Sequence, residues 1–161
     1  MDLTPIRQRH LQLMQTTLDI LGNVLAPVSQ AVATTLRDGR DGPQGWTIVE
    51  VVCHLRDFDG YFHQRAQMML AQDYPKLPAY DHVALAVEHD YINQDVHAVY
   101  DELVELRHEF IAFFKSLSPE QWARVGIHPE RGHFSLTDAV MQVGLHDTIH
   151  LEQITRILNG G

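Results

Sequence analysis

The apolar residues of this chain recur mostly three and four positions apart, which is the spacing of one face of an α-helix. This spacing runs through residues 6–32, 51–62, 91–117 and 136–158. Alternation of apolar and polar residues, the pattern of a half-buried strand, does not extend over a useful length. The pattern therefore predicts an all-α protein with four main helices.

The first helix is predicted to begin at Thr4, a good N-cap residue, with Pro5 at the first helical position. Pro27 lies inside the same apolar pattern and should kink or divide the helix, because proline lacks the backbone N–H that a helix needs. The glycine-rich segment 38–45 then indicates a loop.

The second helix is predicted to follow Thr47, because Thr47-x-x-Glu50 is a capping box, and to run to about Ala71. A proline-bearing connection is expected at residues 73–87, and the third helix over residues 88–116. This connection is longer than the others, so a simple up-down-up-down order of the helices is not required.

Two further segments complete the predicted architecture. Ser118, Pro119 and Gln121 have the order of an N-cap, a first-position proline and an N3 glutamine, which indicates a short extra helix. A loop around residues 126–133 leads to the last helix, residues 136–158. We therefore expect one domain, residues 1–161, folded as an antiparallel four-helix bundle with one longer crossover and the short extra helix.

The charge and composition of the chain limit the binding partners and the cellular compartment that we expect for it. The chain has 12 basic and 21 acidic side chains and a formal net charge of −9, so phosphate backbones should repel it and no nucleic-acid partner is expected. No apolar run approaches the ~18 residues of a membrane span, and no secretory signal is visible. With a single cysteine, Cys53, expected to be a packed core thiol, these features predict a cytoplasmic protein.

Histidine is unusually frequent, since the chain has 11 histidines against 12 lysines and arginines. His146 and His150 lie four positions apart on the last helix, so both imidazoles are on one face and can reach one metal ion. The apolar stripe that contains Val143 and Ile154 passes through both histidines. They are therefore expected to point into the bundle.

His54 is the third candidate ligand. On the second helix, the stripe through Val51 and Phe58 places His54 inward as well. Two histidines from one helix and a third from another are the open arrangement of catalytic zinc, in which water or substrate completes the coordination. The alternative is that each is a core histidine bonded to a backbone carbonyl or a carboxylate.

Asp57 is the candidate acidic residue because it follows His54 by three positions. It could be a fourth ligand, a partner of an imidazole, or the base for a bound water. The alternative is a surface aspartate paired with arginines. Asp147 follows His146 directly and should point about 100° away around the helix, so it is expected to orient a neighbour. No other catalytic residue is identifiable.

The remaining histidines lack a partner at metal-ligand spacing. His128 and His133 are expected in a solvated loop before the last helix. The doublets His89-Asp90 and His146-Asp147 are similar to the HD motif of phosphohydrolases, but the other residues of that motif cannot be placed.

Three segments together resemble the DinB/YfiT-like family of metalloenzymes. They are Trp46-Thr47 followed by His54-Leu55-Arg56-Asp57, then Gly132-His133-Phe134-Ser135-Leu136, and finally His146-Asp147-Thr148-Ile149-His150 with Gln153-Ile154. The resemblance covers nearly the whole chain. It implies a four-helix bundle, often a homodimer, with a divalent metal held by His54, His146 and His150.

The resemblance also suggests an activity, because some family members are enzymes that use low-molecular-weight thiols. We therefore expect a metal-dependent, thiol S-transferase-like enzyme of stress response or detoxification that acts on a small molecule. A metal-dependent hydrolase, with Asp57 as base, and a non-enzymatic metal-binding bundle are the alternatives. Zinc or nickel is the expected metal, although imidazoles also bind copper and iron.

Overall fold

Four long helices form a bundle in the computed structural model, which describes residues 2–160. The helices are α1 (Thr4–Leu25), α2 (Gln30–Thr35), α3 (Ile48–Ala71), α4 (His82–Glu88), α5 (Val96–Lys115), α6 (Pro119–Trp122) and α7 (Leu136–Leu158), and the strands are β1 (Val125–His128) and β2 (Gly132–Ser135). Two 3₁₀ turns, Gly39–Gln44 and Tyr91–Asn93, precede α3 and α5. The long helices α1, α3, α5 and α7 confirm the predicted all-α four-helix bundle.

Each long helix packs mainly against two others, and these contacts fix their directions. The α3/α7 and α1/α5 pairs run antiparallel. The α1/α7 pair runs parallel, since Arg7 bonds Thr137 and Thr17 bonds Asp147. The α3/α5 pair is parallel too. The predicted antiparallel arrangement therefore holds for two of the four neighbouring pairs, and α1 and α3 are diagonal to each other.

The predicted longer crossover joins α3 to α5. Because these helices are parallel, the chain must return along the length of the bundle between them. We expected a proline-bearing connection at residues 73–87 and a third helix from about residue 88, and this boundary was wrong. The connection contains α4, and α5 begins at Val96, where the Asp95 carboxylate accepts backbone N–H groups from His97 and Ala98. The apolar residues of the connection continue the stripe of α5, which hid the boundary.

The predicted helix ends are mostly confirmed. Capping boxes are formed at Thr47 and Ser118, and α1 ends at Leu25, two residues before Pro27. The N-cap at Thr4 was wrong, because Thr4 is the first helical residue and its N–H donates to the side chain of Asp2.

A β-hairpin replaces the loop expected at residues 126–133. Strands β1 and β2 pair antiparallel, and the turn between them ends at Gly132, which has a positive φ of 69°. The prediction of a loop for this segment was therefore wrong. Strands of four residues are too short for alternation to distinguish them from a loop.

The core has two apolar clusters separated by a polar layer. One cluster contains Leu18, Leu55 and Leu103, and the other contains Met14, Phe62 and Phe110. Between them the buried side chain of Arg107 bonds Asp59 and Asp147. None of the helices in residues 2–160 has the length and apolarity needed to cross a membrane.

Candidate metal centre

The three histidines predicted from the sequence lie together between α3 and α7. The Nε2 atoms of His54 and His146 are 3.0 Å apart, and one ring nitrogen of each of the three histidines lies within 4.8 Å of the others. The ring centroids of His54 are 4.9 Å from His146 and 4.7 Å from His150. Helical register therefore placed these residues correctly.

The two helices hold the imidazoles at a fixed depth. The capping box at Thr47 sets the start of α3, and His54 follows two turns later, buried against α7. The ring of Trp46 packs 5.1 Å from His54, and the ring of Phe58 packs 4.3 Å away and is stacked on His146. These aromatic contacts restrict the orientation of both imidazoles.

The three imidazoles are neutral at pH 7. Burial, followed by the neighbouring histidines, lowers the pKa of His54 to about 2. Burial, then His150 and Arg107, lowers the pKa of His146 to about 3. Burial also lowers the pKa of His150, against the opposing effect of its bond to Gln153. Because metals bind the neutral imidazole, no proton has to be removed before an ion can bind at pH 7.

A hydrogen-bonded chain fixes the tautomer of His150. Its Nδ1 lies 2.8 Å from the amide oxygen of Gln153, which can only accept, so Nδ1 carries the proton and Nε2 is free. The Gln153 amide nitrogen donates to Asp38 at 2.9 Å, and Asp38 is paired with Arg156. Metal-binding histidines usually donate such a hydrogen bond from the ring nitrogen that does not bind the metal.

His54 lacks such support within residues 2–160. Its Nδ1 is buried and has no hydrogen-bond partner, so its orientation depends on the packing of Trp46 and Phe58. When Nε2 faces the centre, Nδ1 carries an unpaired proton, which costs about 1–3 kcal/mol. Ligation of Nε2 would offset this cost.

The donor set fits a divalent metal ion. Nitrogen ligands of tetrahedral zinc lie about 3.3 Å from each other, since each Zn–N bond is about 2.0–2.1 Å long. The 3.0 Å between the Nε2 atoms of His54 and His146 is close to this spacing. Three neutral ligands would leave the full positive charge of the ion available to a water or a substrate group.

The centre opens into a cleft of about 550 Å³. Its apolar wall includes Trp46, Phe58 and Val83, and its polar wall includes Asp41 and His82. The exposed His82 has its ring 6.0 Å from that of His54. His82 was not among the predicted site residues, because it lies in the connection expected at residues 73–87 and has no histidine at ligand spacing.

Asp57 does not reach the metal centre. Its carboxylate bonds Arg56 at 2.8 Å, and His89 and Tyr91 at 2.6 Å each. Three residues along α3 rotate it by about 60° away from His54, toward α5. The roles of fourth ligand and base are therefore corrected, and the imidazole that Asp57 contacts is that of His89, outside the centre. The alternative, a surface aspartate paired with arginines, is right about the pairing with Arg56 and wrong about the surface, since the Asp57 side chain is 10% exposed.

Asp147 orients a neighbour, as expected, and that neighbour is Arg107. The Arg107 guanidinium donates to both oxygens of Asp147, at 2.7 and 3.0 Å, to Asp59 at 2.9 Å and to the Met14 carbonyl at 2.8 Å. Burial raises the pKa of Asp59 to about 6, although Arg107 opposes the shift. These contacts join all four long helices. They also fix the position of Asp147 on α7, and therefore that of the adjacent His146. The sequence analysis did not identify Arg107 or Asp59, since a single buried arginine has no periodic signal.

The burial of Cys53, His128 and His133 agrees with the sequence-based expectation for two of these three side chains. Cys53 is fully buried and burial raises its pKa to about 12, which agrees with a packed thiol. His133 is exposed, as expected for this segment. His128 is buried beside Arg65, so its assignment to a solvated loop was wrong. The hairpin turns it inward.

Comparisons with known proteins agree with the fold and the centre. The sequence profile of the DinB superfamily matches residues 9–154. YfiT of Bacillus subtilis is 27% identical over 87% of this chain and 81% of its own length, and a protein of Oceanobacillus iheyensis is 26% identical over 80% and 72%. Both carry the name "putative metal-dependent hydrolase".

Solved structures share the bundle. The structure of Bacillus subtilis YfiT, described as an unusual four-helix bundle topology, matches with a TM-score of 0.87 at 23% identity, over 99% of this chain and 89% of that one. A mycothiol-dependent maleylpyruvate isomerase matches with a TM-score of 0.75 at 9% identity, over 92% of this chain and 60% of that one, so this chain spans less than two thirds of its length. The profile match covers most of the sequence, and the chain therefore belongs to the DinB superfamily.

Proposed function

We propose that this protein is a metal-dependent enzyme that transfers a low-molecular-weight thiol to a small electrophile. The observation that carries the proposal is the convergence of three neutral imidazoles, of His54, His146 and His150, on the floor of an open cleft. A divalent ion held there would act as a Lewis acid and lower the pKa of a thiol or water. The relatives named as metal-dependent hydrolases support the metal dependence.

The size and walls of the cleft support an organic cosubstrate. A volume of about 550 Å³ is far larger than a water molecule needs, and it falls within the range of small-molecule sites. Trp46, Phe58 and Val83 offer apolar surface to the carbon atoms of a thiol and an electrophile. His54 and His146, held by aromatic packing, would orient the reacting group at the floor of the cleft.

The proposed reaction is a nucleophilic displacement or addition by sulfur. The thiol loses its proton to solvent, and its sulfur forms a bond to an electrophilic carbon. In a displacement, the leaving group departs with the electron pair of the bond that breaks. In an addition, the π electron pair of the attacked double bond moves to the neighbouring atom, which then takes a proton from solvent. The similarity in fold to a protein named a mycothiol-dependent isomerase supports the proposal of a thiol cosubstrate.

The decisive experiment compares turnover of model electrophiles with and without added thiol. We expect conjugate formation only with thiol, in the zinc- or nickel-loaded protein, and at least about a hundredfold loss in His146→Ala. His133→Ala is the matched control, because His133 is an exposed histidine of the hairpin. Conversion that proceeds equally well without thiol would contradict the proposal.

Hydrolysis is the second candidate because of His82. Its exposed imidazole faces the cleft beside His54 and could accept a proton from a water molecule, the role first considered for Asp57. Hydrolysis predicts thiol-independent cleavage that His82→Phe slows and His133→Ala does not. Thiol-dependent conjugation that is unaffected by His82→Phe would exclude this candidate.

A further inference from the structure

A second, smaller cavity lies directly beside the cleft. Its volume is about 170 Å³, and it shares the side chains of Phe58, His82 and His146 with the cleft. Its other walls include two buried polar side chains, Arg65 and His128, which are 6% and 5% exposed. Neither residue has a part in the proposed metal centre.

Arg65 is a buried cation that donates to a backbone carbonyl rather than to a carboxylate. Its Nε and Nη2 atoms donate to the Pro78 carbonyl, with Nε at 3.1 Å, and its guanidinium lies over the Tyr80 ring at 5.0 Å. No carboxylate of residues 2–160 lies within ion-pair distance of it, whereas the other deeply buried arginine, Arg107, contacts Asp59 and Asp147. A buried arginine is rarely left unpaired.

His128 places a second donor against Arg65. The Nδ1 atom of His128 accepts the backbone N–H of Glu130 at 3.2 Å. Burial, and then Arg65 and Arg131, lower the pKa of His128, so the ring is neutral at pH 7 and carries one proton, which is on Nε2 when Nδ1 accepts from Glu130. This Nε2 lies 3.2 Å from Nη1 of Arg65. A neutral imidazole accepts at only one nitrogen, so the Glu130 N–H and the Arg65 N–H compete for His128 and one of them lacks an acceptor.

We propose that Arg65 and His128 bind a carboxylate group of the substrate, next to the metal centre. One carboxylate oxygen would accept from both Nη1 and Nε2, and the negative charge would compensate the buried guanidinium. The binding of a carboxylate needs only these two residues. That the carboxylate belongs to the substrate of an enzyme rests on the proposed function. The substrate class is then a small electrophile that carries a carboxylate.

The walls favour a carboxylate over a phosphate. The volume of about 170 Å³ suits a small planar group, and the Glu130 side chain also lines the cavity. Glu130 repels any anion in this cavity, and it repels a ligand with two negative charges more strongly than a carboxylate with one. The shared wall at His146 places the rest of an elongated substrate in the cleft.

The test is a titration with acetate, followed by the NMR signals of the Arg65 Nε–H and the His128 ring at constant ionic strength. We expect saturable shifts of both signals, with the same Kd in metal-free and zinc-loaded protein, and weaker binding of inorganic phosphate. Shifts that occur only with zinc would place the anion on the metal and overturn the proposal. Absence of saturable shifts, or tighter binding of phosphate, would overturn it too.

Four variants separate recognition from folding. Arg65→Gln and His128→Phe should each raise the Kd for acetate by at least about tenfold, because each removes a donor to a charged group. His128→Gln keeps an N–H donor near the position of Nε2 and should bind acetate nearly as the wild type does. The comparison of His128→Gln with His128→Phe tests the donor even if Arg65→Gln fails to fold. Arg9→Gln removes an exposed arginine and should leave the Kd unchanged. Equal Kd values for wild type and His128→Phe would refute the assignment.

Discussion

His150 depends on its neighbours for its orientation, as metal-binding histidines generally do. Its Nδ1 donates to Gln153, which lies one turn later on α7 and in turn contacts Asp38 before α3. His54 and His146 depend instead on aromatic packing. The affinity of the centre for a metal should therefore respond to Gln153, although Gln153 itself is not a ligand.

Gln153→Ala should weaken metal binding by about 10–100-fold while the protein stays folded. The reason is that His150 loses the acceptor that fixes its tautomer. The measurement is a competitive zinc titration against a chromophoric chelator, with circular dichroism as the check on folding. Thr155→Ala, an exposed position on the same helix, is the matched control. Equal affinities of Gln153→Ala and the control would show that His150 needs no such support.

At the scale of the helices, the buried Arg107 joins all four long elements. It lies on α5 and bonds Met14 on α1, Asp59 on α3 and Asp147 on α7. This buried polar layer specifies how the helices align, because Arg107 can form all of its hydrogen bonds in only one register of the helices. It also holds α7, and with it His146 and His150, against α3.

Arg107→Met should lower the free energy of unfolding by about 3–5 kcal/mol, since it leaves Asp59 and Asp147 buried without their cation. Urea unfolding followed by circular dichroism measures the change. Arg40→Met is the control, because Arg40 is exposed and pairs with the exposed Glu152, so its loss should change the stability far less. A loss for Arg107→Met no larger than the control would contradict the structural role assigned to the layer.

For the whole molecule, helical periodicity and family resemblance together predicted the bundle and the three histidines that meet in it. Periodicity worked for His54, His146 and His150 because each lies on the buried stripe of a long helix. It failed for α4 and the hairpin, whose elements have seven residues or fewer and leave too short a pattern. The proximity of His82 and the pairing of Arg65 with His128 depend on these short elements, so neither was available from spacing alone. The homodimer implied by the resemblance stays a prediction.

The central claim, that His54, His146 and His150 hold a divalent metal, is tested most directly by elemental analysis of protein purified without chelators and then incubated with zinc or nickel. We predict about one ion per chain in the wild type and in His133→Ala, and less than about a tenth of an ion in His146→Ala and His54→Ala. A wild-type protein that stays free of metal, or a His146→Ala variant that binds as much metal as the wild type, would contradict the account.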